Sequence, residues 1–227
     1  MEQTTLTRQQ ASDAVGDQGW RFLVGELRTS VRVDSLTEAA SAVTASAAAC
    51  GPNADGHLRA DVRADRVELT LQSLDRAAVT AHDVDLAHRI TAALANAGLH
   101  TSPELNTRSV QVVEIAIDAL DIAAIRPFWR AVLGYTDEPG ADGPEDAVID
   151  PVGQGPTIWF QQMAEPRPQR NRIHFDIRVP HDESTTRIEA ALTAGGRLLS
   201  SESAPAFWVL SDREGNEACI TTWQGRD

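Results

Sequence analysis

Hydrophobic positions along the chain switch repeatedly between helical and strand spacing. Residues 7–16 have helical spacing behind Thr7, whose hydroxyl suits an N-cap. "GWRFLVGELRTSVRV" (19–33) alternates apolar and polar residues around Gly25, which predicts a hairpin. "DSLTEAASAVTASAAAC" (34–50) is Ala-rich, can be capped by Asp34 or Ser35, and is stopped by Gly51 and Pro52, so it predicts a helix. "ADVRADRVELTLQSL" (60–74) predicts the next strand, with Val62, Val67, Leu69 and Leu71 as its apolar positions. A helix follows over 80–98, with Thr80 as N-cap and Gly98 just past its end.

The polar, aperiodic stretch "LHTSPELNTRS" (99–109) divides the chain. Residues 1–100 are expected to form one domain, 101–108 a linker, and 109–227 a second domain. In that second part, "VQVVEIAIDA" predicts a strand and "DIAAIRPFWRAVLG" a helix capped by Asp121, with Pro127 expected near its first turn or at a kink. "DAVIDP" and "TIWFQQM" predict further strands. The order then recurs: strand "NRIHFDIRVP", helix "DESTTRIEAALTAGG", and strands "RLLSS", "AFWVLSD" and "EACITTW". A βαβββ unit repeated every ~55 residues is an internal duplication, with modules at about 109–165 and 170–227. The expected fold class is α+β throughout.

Composition changes this picture mainly by exclusion. With 42% hydrophobic and 23% charged residues, a folded chain is the default. A net charge of −13 argues against nucleic acid, which needs clustered positive charge. Every basic residue is Arg, so lysine Schiff-base chemistry is absent. No apolar run reaches membrane-spanning length, and the polar N-terminus lacks the apolar core of a signal peptide. Two cysteines, Cys50 and Cys219, are too few for a disulfide framework, so a cytoplasmic location is expected.

"GW" (Gly19, Trp20), the alternating strand Leu27–Val33, the Ala-rich helix and "DRVELTLQSLDRAAVTAHDVDLAHRI" (65–90) resemble the pterin-4a-carbinolamine (4a-hydroxytetrahydrobiopterin) dehydratase family. The resemblance implies an antiparallel sheet with helices on one face. It also implies histidines that move protons as water leaves a carbinolamine, a task that suits imidazole near neutral pH. That family reads His-His-Pro before this strand and Thr-His-Asp at its end. Here Gly56, His57 and Leu58 stand at the first motif, and Leu74 and Asp75 at the second, with Ala77-Ala78 in place of Gly-Gly. One of three imidazoles is kept. The implied catalytic residues are His57 and Asp75, at the mouth of an inherited pterin pocket. His82 and His88, six apart on the last helix, face different ways and form no ligand pair.

"DIAAIRPFWRAVLGY" (121–135), "NRIHFDIRV" (171–179) and "SDREGNEACI" (211–220) resemble the glyoxalase/bleomycin-resistance, or vicinal-oxygen-chelate, superfamily, whose fold is a pair of βαβββ modules. Members that bind metal draw ligands from the first and last strand of each module. The resemblance therefore implies Glu114 and His174 as ligands to a divalent cation, with Gln161 and Cys219 at the last-strand positions. The usual last-strand Glu is missing at Cys219, which weighs toward no metal and leaves no obvious general base. His174 and Asp176 share a strand face, so they could be an oriented pair in a pocket or a pair that fixes the sheet. Trp129, Trp159 and Trp208, with Gln161, His174 and Asp176, are candidate ligand-binding residues for a planar or oxygenated metabolite.

The reading that results is a small-molecule-binding protein, with a pterin-dehydratase-like site reduced to one imidazole and a fused glyoxalase-like domain. Its alternatives are a metal-dependent lyase, isomerase or dioxygenase, and a non-catalytic binding or dimerisation protein. Both resemblances imply a homo-oligomer.

Overall fold

The computed structural model describes residues 4–104, 109–167, 169 and 173–225, in two compact units, Met1–Val112 and Val113–Asp227. The expected linker residues 105–108 and the strand start at Asn171 and Arg172 lie outside the described residues.

The first unit opens with α1 (Arg8–Val15), where Thr7 and Gln10 form a reciprocal capping box. The hairpin β1 (Arg21–Leu23) and β2 (Glu26–Arg32) turns through Val24 and Gly25, both at positive φ. This is the mirror-image turn that matches strand twist. Helix α2 (Leu36–Cys50) starts at Ser35, which accepts from Glu38 N. A 3₁₀ turn at Gly51–Asn53 and a one-turn helix, α3 (Ala54–His57), follow. The predicted strand at 60–74 is in fact a second hairpin, β3 (Leu58–Val62) and β4 (Arg66–Leu71). Its apolar alternation continues through both arms, so periodicity alone did not reveal the turn between them. Helix α4 (Ala81–Asn96) completes the layer, and β5 (Thr101–Ser102) takes two residues of the expected linker onto β2.

The sheet order is β1-β2-β4-β3, antiparallel throughout, with β5 on β2. Register pairs Leu27 with Leu71, Thr29 with Leu69 and Val31 with Val67, so these side chains share one face and are buried. They pack with Leu86, Ile90 and Leu94 of α4 and Ala39 and Ala42 of α2. Trp20 is fully buried there, and its indole N–H donates to Thr91 Oγ1 at 2.9 Å. Gly19 precedes it at φ 76°, where any Cβ would collide with the Thr101 carbonyl. The Gly-Trp pair is thus a steric requirement of this corner.

The second unit begins with β6 (Glu114–Ala119), α5 (Ile122–Leu133), β7 (Thr136–Asp137), β8 (Val148–Ile149) and β9 (Thr157–Gln162), of which the two-residue β7 is too short to show in the periodicity. Then come β10 (Phe175–Arg178), α6 (Ser184–Thr193), β11 (Arg197–Ser200), β12 (Phe207–Ser211) and β13 (Glu217–Thr221). Each module is a four-stranded sheet, β6-β9-β8-β7 or β10-β13-β12-β11, in which the first and last strands pair in parallel. Asp121 caps α5 by accepting from Ala124 N, and the helix continues through Pro127 without the backbone bond that residue cannot donate.

The parallel pairing sorts the side chains by face. Ile115 with Ile158, Ile117 with Phe160, and Ile177 with Ile220 point to the helices and the core. Glu114 with Thr157, Ala116 with Trp159, Asp118 with Gln161, and Asp176 with Cys219 point to the other face.

Candidate functional site

His57 ends α3, and the backbone beside it is fixed by Gln72 N donating to His57 O (3.0 Å) and Leu74 N donating to Gly56 O (3.1 Å). These bonds lay the segment after β4 along α3 and bring Ser73 beside the imidazole. The ring is buried, with the residue 8% exposed. Its Nδ1 lies 2.7 Å from Asp83 Oδ1, and Asp83 is 0% exposed.

Asp83 is held by the start of α4. Thr80 N and Thr80 Oγ1 both donate to Asp83 Oδ2 at 2.7 Å, and Ser73 Oγ donates to the same oxygen at 3.3 Å. One carboxylate oxygen is therefore used for capping and the other faces the imidazole. A carboxylate that accepts at Nδ1 places the ring proton on Nδ1 and leaves Nε2 with a lone pair. This is how an imidazole is set up as a base, with a carboxylate to stabilise the imidazolium that forms.

The carboxylate that meets His57 is Asp83, while Asp75 is exposed in the turn at 74–77. His82, which helical spacing separated from His88, lies edge-on to His57 with ring centroids 5.0 Å apart and planes at 77°. Asp83, His82, Ser73 and Thr80 were missed as a group. The Thr80–Asp83 capping spacing was visible in the sequence; the direction in which Asp83's second oxygen points was not.

In the second unit, His174, Asp176 and Cys219 bring one ligand atom each to within 4.8 Å of one another, and His174 Nε2 is 3.4 Å from Asp176 Oδ1. Register explains the group. Asp176 pairs with Cys219 across the parallel strands, and His174 stands two residues earlier on the same face. Cys219 is buried, while His174 and Asp176 are exposed.

The other candidate residues divide between faces. Glu114, the second expected ligand, is outside this group. Its charge, after burial and Asp146, helps push the carboxyl of Glu138 above the ordinary range. Trp159 (38% exposed) and Gln161 lie on the outer face of β9. The same spacing separates Glu114 from His174 and Trp159 from Cys219, so Trp159, rather than Gln161, is the first module's counterpart of Cys219.

Trp129 lies in the core, and Trp208 is partly buried against it. Trp129 is 1% exposed, packs edge-on against Phe128 and Phe175, and donates its indole N–H to Asp212 Oδ2 at 3.0 Å. Trp208 pairs with Ile220 and packs against the core, on the face opposite Cys219.

Known proteins divide the chain in the same way. Residues 4–93 match the family model described as pterin 4 alpha carbinolamine dehydratase, and residues 114–221 match that of a glyoxalase-like domain. The chain is a two-domain protein that joins a pterin-dehydratase-like domain to a glyoxalase-like one. Similar solved structures include a transcriptional coactivator/pterin dehydratase from Brucella melitensis (20% identity, 40% of this chain and 98% of that one, TM-score 0.36). Others are a glyoxalase/bleomycin resistance protein/dioxygenase family enzyme from Burkholderia phytofirmans PsJN (18%, 48% and 95%, TM-score 0.38) and the fosfomycin resistance protein FosX from Mesorhizobium loti (10%, 48% and 89%, TM-score 0.38). No curated protein matches the chain. No helix among the described residues is long and apolar enough to cross a membrane.

Proposed function

We propose that the N-terminal domain removes water from a carbinolamine of the reduced-pterin class, with His57 as the proton-transferring group. The observation that carries this is the buried 2.7 Å contact between His57 Nδ1 and Asp83 Oδ1. In the reaction the C–O bond breaks and a C=N bond forms between the same carbon and its neighbouring ring nitrogen. The nitrogen loses its proton, and the hydroxyl gains one and leaves as water. His57 Nε2 takes the ring-nitrogen proton, and Asp83 stabilises the imidazolium. The match of residues 4–93 to the dehydratase family model supports the substrate class. The test is a spectrophotometric dehydration assay with a synthetic 4a-hydroxytetrahydropterin, corrected for the uncatalysed rate. His57→Ala should lose about 10²–10⁴-fold, and equal rates for the two proteins would end the proposal.

A second reading rests on His174, Asp176 and Cys219: a divalent cation held by the C-terminal domain. Imidazole, carboxylate and thiolate together suit zinc. Bonds of about 2.0–2.3 Å around a tetrahedral zinc put its ligand atoms roughly 3.3–3.8 Å apart. The present 4.8 Å spread therefore has to tighten by about 1 Å, which the exposed His174 and Asp176 side chains can supply. When bound, such an ion polarises an oxygen of a chelated small molecule. The chain's own part is to present the three donors on one sheet face and to shield the thiol.

A further inference from the structure

We propose that His82 is a second proton-transferring group of the N-terminal site and works together with His57. This inference rests on the dehydratase reading of that site. His57 is fixed through Nδ1 by Asp83, and Asp83 has its other oxygen committed to Thr80 and Ser73. His82 sits one residue before Asp83 on the same helix turn and presents its ring edge-on to His57, with centroids 5.0 Å apart. Its Nε2 is shielded from solvent, and no protein group among the described residues bonds to it. A shielded ring nitrogen lacks here the polar partner that such atoms ordinarily have, and beside an imidazole oriented by a carboxylate a bound molecule is the partner that could supply it.

The chemistry needs two such positions. Loss of water from a carbinolamine removes a proton from nitrogen and delivers one to the hydroxyl on the adjacent carbon. A single imidazole must carry that proton from one atom to the other. Two imidazoles can serve both atoms at once: His57 accepts at Nε2 while His82 donates the proton that it carries at Nε2. The substrate leaves as the C=N product and one water, and the pair has passed one net proton from His82 to His57. Return of that proton to His82 restores the starting state, with no other reactant consumed. Asp83 favours His57 as the acceptor, because only that ring has a buried carboxylate to stabilise its cation.

The experiment compares the full-length protein with His57→Ala, His82→Ala and His82→Gln. It measures dehydration of a synthetic 4a-hydroxytetrahydropterin, binding of 7,8-dihydrobiopterin by fluorescence, and recovery of activity in added imidazole. His82→Ala and His82→Gln should each lower kcat about 100-fold, with the dihydropterin Kd changed less than threefold. Added imidazole should restore His82→Ala at least tenfold, and should not restore His82→Gln, whose side chain fills the space. If His82→Ala does not fold, the kcat and Kd of His82→Gln decide. A loss of kcat that imidazole leaves unchanged, with a weakened Kd, reduces His82 to packing and overturns the inference. Full activity in the His82 variants with His57→Ala inactive overturns it too, and leaves the role of His57 standing. Full activity in His57→Ala removes both.

Discussion

His57 and Asp83 lie 26 positions apart and meet at 2.7 Å with both side chains buried. The same carboxylate closes the capping box of α4 with Thr80. Fold and site therefore share one side chain, and Asp83→Asn should weaken both. An amide offers an N–H or a carbonyl, so it no longer fixes Nε2 as the base. We expect dehydration to fall by about 10²-fold or more. The lost cap should lower stability by roughly 1 kcal/mol. Thr80→Ala separates the two effects, because it removes cap bonds and keeps the carboxylate. Its melting point should drop as far as that of Asp83→Asn, with a smaller loss of rate.

Val24 and Gly25 form the β1–β2 turn, and Val24 is at φ 44°. A β-branched residue in left-handed backbone is strained, and this turn favours Asn-Gly. Val24 is also exposed, so little packing is lost on replacement. Val24→Asn should stabilise the N-terminal domain by about 1 kcal/mol. A thermal melt that fails to rise would show that the hairpin relieves this strain in another way.

Asp212 accepts from Trp129 Nε1, Asn216 Nδ2, Glu214 N and Asn216 N, at 2.7 to 3.0 Å. It is fully buried and ties the β12–β13 turn to α5. Trp129→Phe keeps most of the apolar volume and removes one donor from a buried carboxylate. Urea unfolding should show about 1–3 kcal/mol lost from the C-terminal domain.

The hydrogen bond from Arg126 to Asp137, and after it that from Arg130, hold the Asp137 carboxyl below the ordinary range against the upward pull of burial. A depressed folded value means that the unfolded chain binds the proton first. The pair's stabilisation is then complete above the unfolded pKa of about 3.9 and is lost as pH falls through the folded value. Asp137→Asn should accordingly lower the urea midpoint at pH 7. The difference from the parent protein should shrink toward pH 2.

Cobalt(II) added to the native protein tests the His174–Asp176–Cys219 group directly. A thiolate ligand should give a sulfur-to-cobalt charge-transfer band, and Cys219→Ala should abolish it. Less than a tenth of an equivalent of cobalt retained after gel filtration would remove the metal reading.

Much of this architecture could be read from the sequence because it is set by local rules. Thr7, Ser35, Thr80 and Asp121 cap the helices expected of them, since a side-chain oxygen can satisfy the first free backbone N–H groups without help from elsewhere. The repeated βαβββ order follows from periodicity in the same way. Two local expectations failed for lack of contrast: the 60–74 segment conceals a turn, and the division at 99–109 gives Thr101 and Ser102 to the first sheet.

The sites depended on tertiary structure. The family resemblance offered Asp75 to His57, but the backbone bonds from Gln72 and Leu74 and the start of α4 bring Asp83 to the imidazole. Helical spacing separated His82 from His88, yet it could not show that His82 would meet a histidine from another element. Trp129 and Trp208 have the composition of a binding surface, and only packing and strand register place Trp129 in the core and Trp208 against it. The physical reason is range. Caps and periodicity are settled within a few residues, whereas a carboxylate's second oxygen, an imidazole's neighbour and the face of a strand are settled by chain segments tens of residues away.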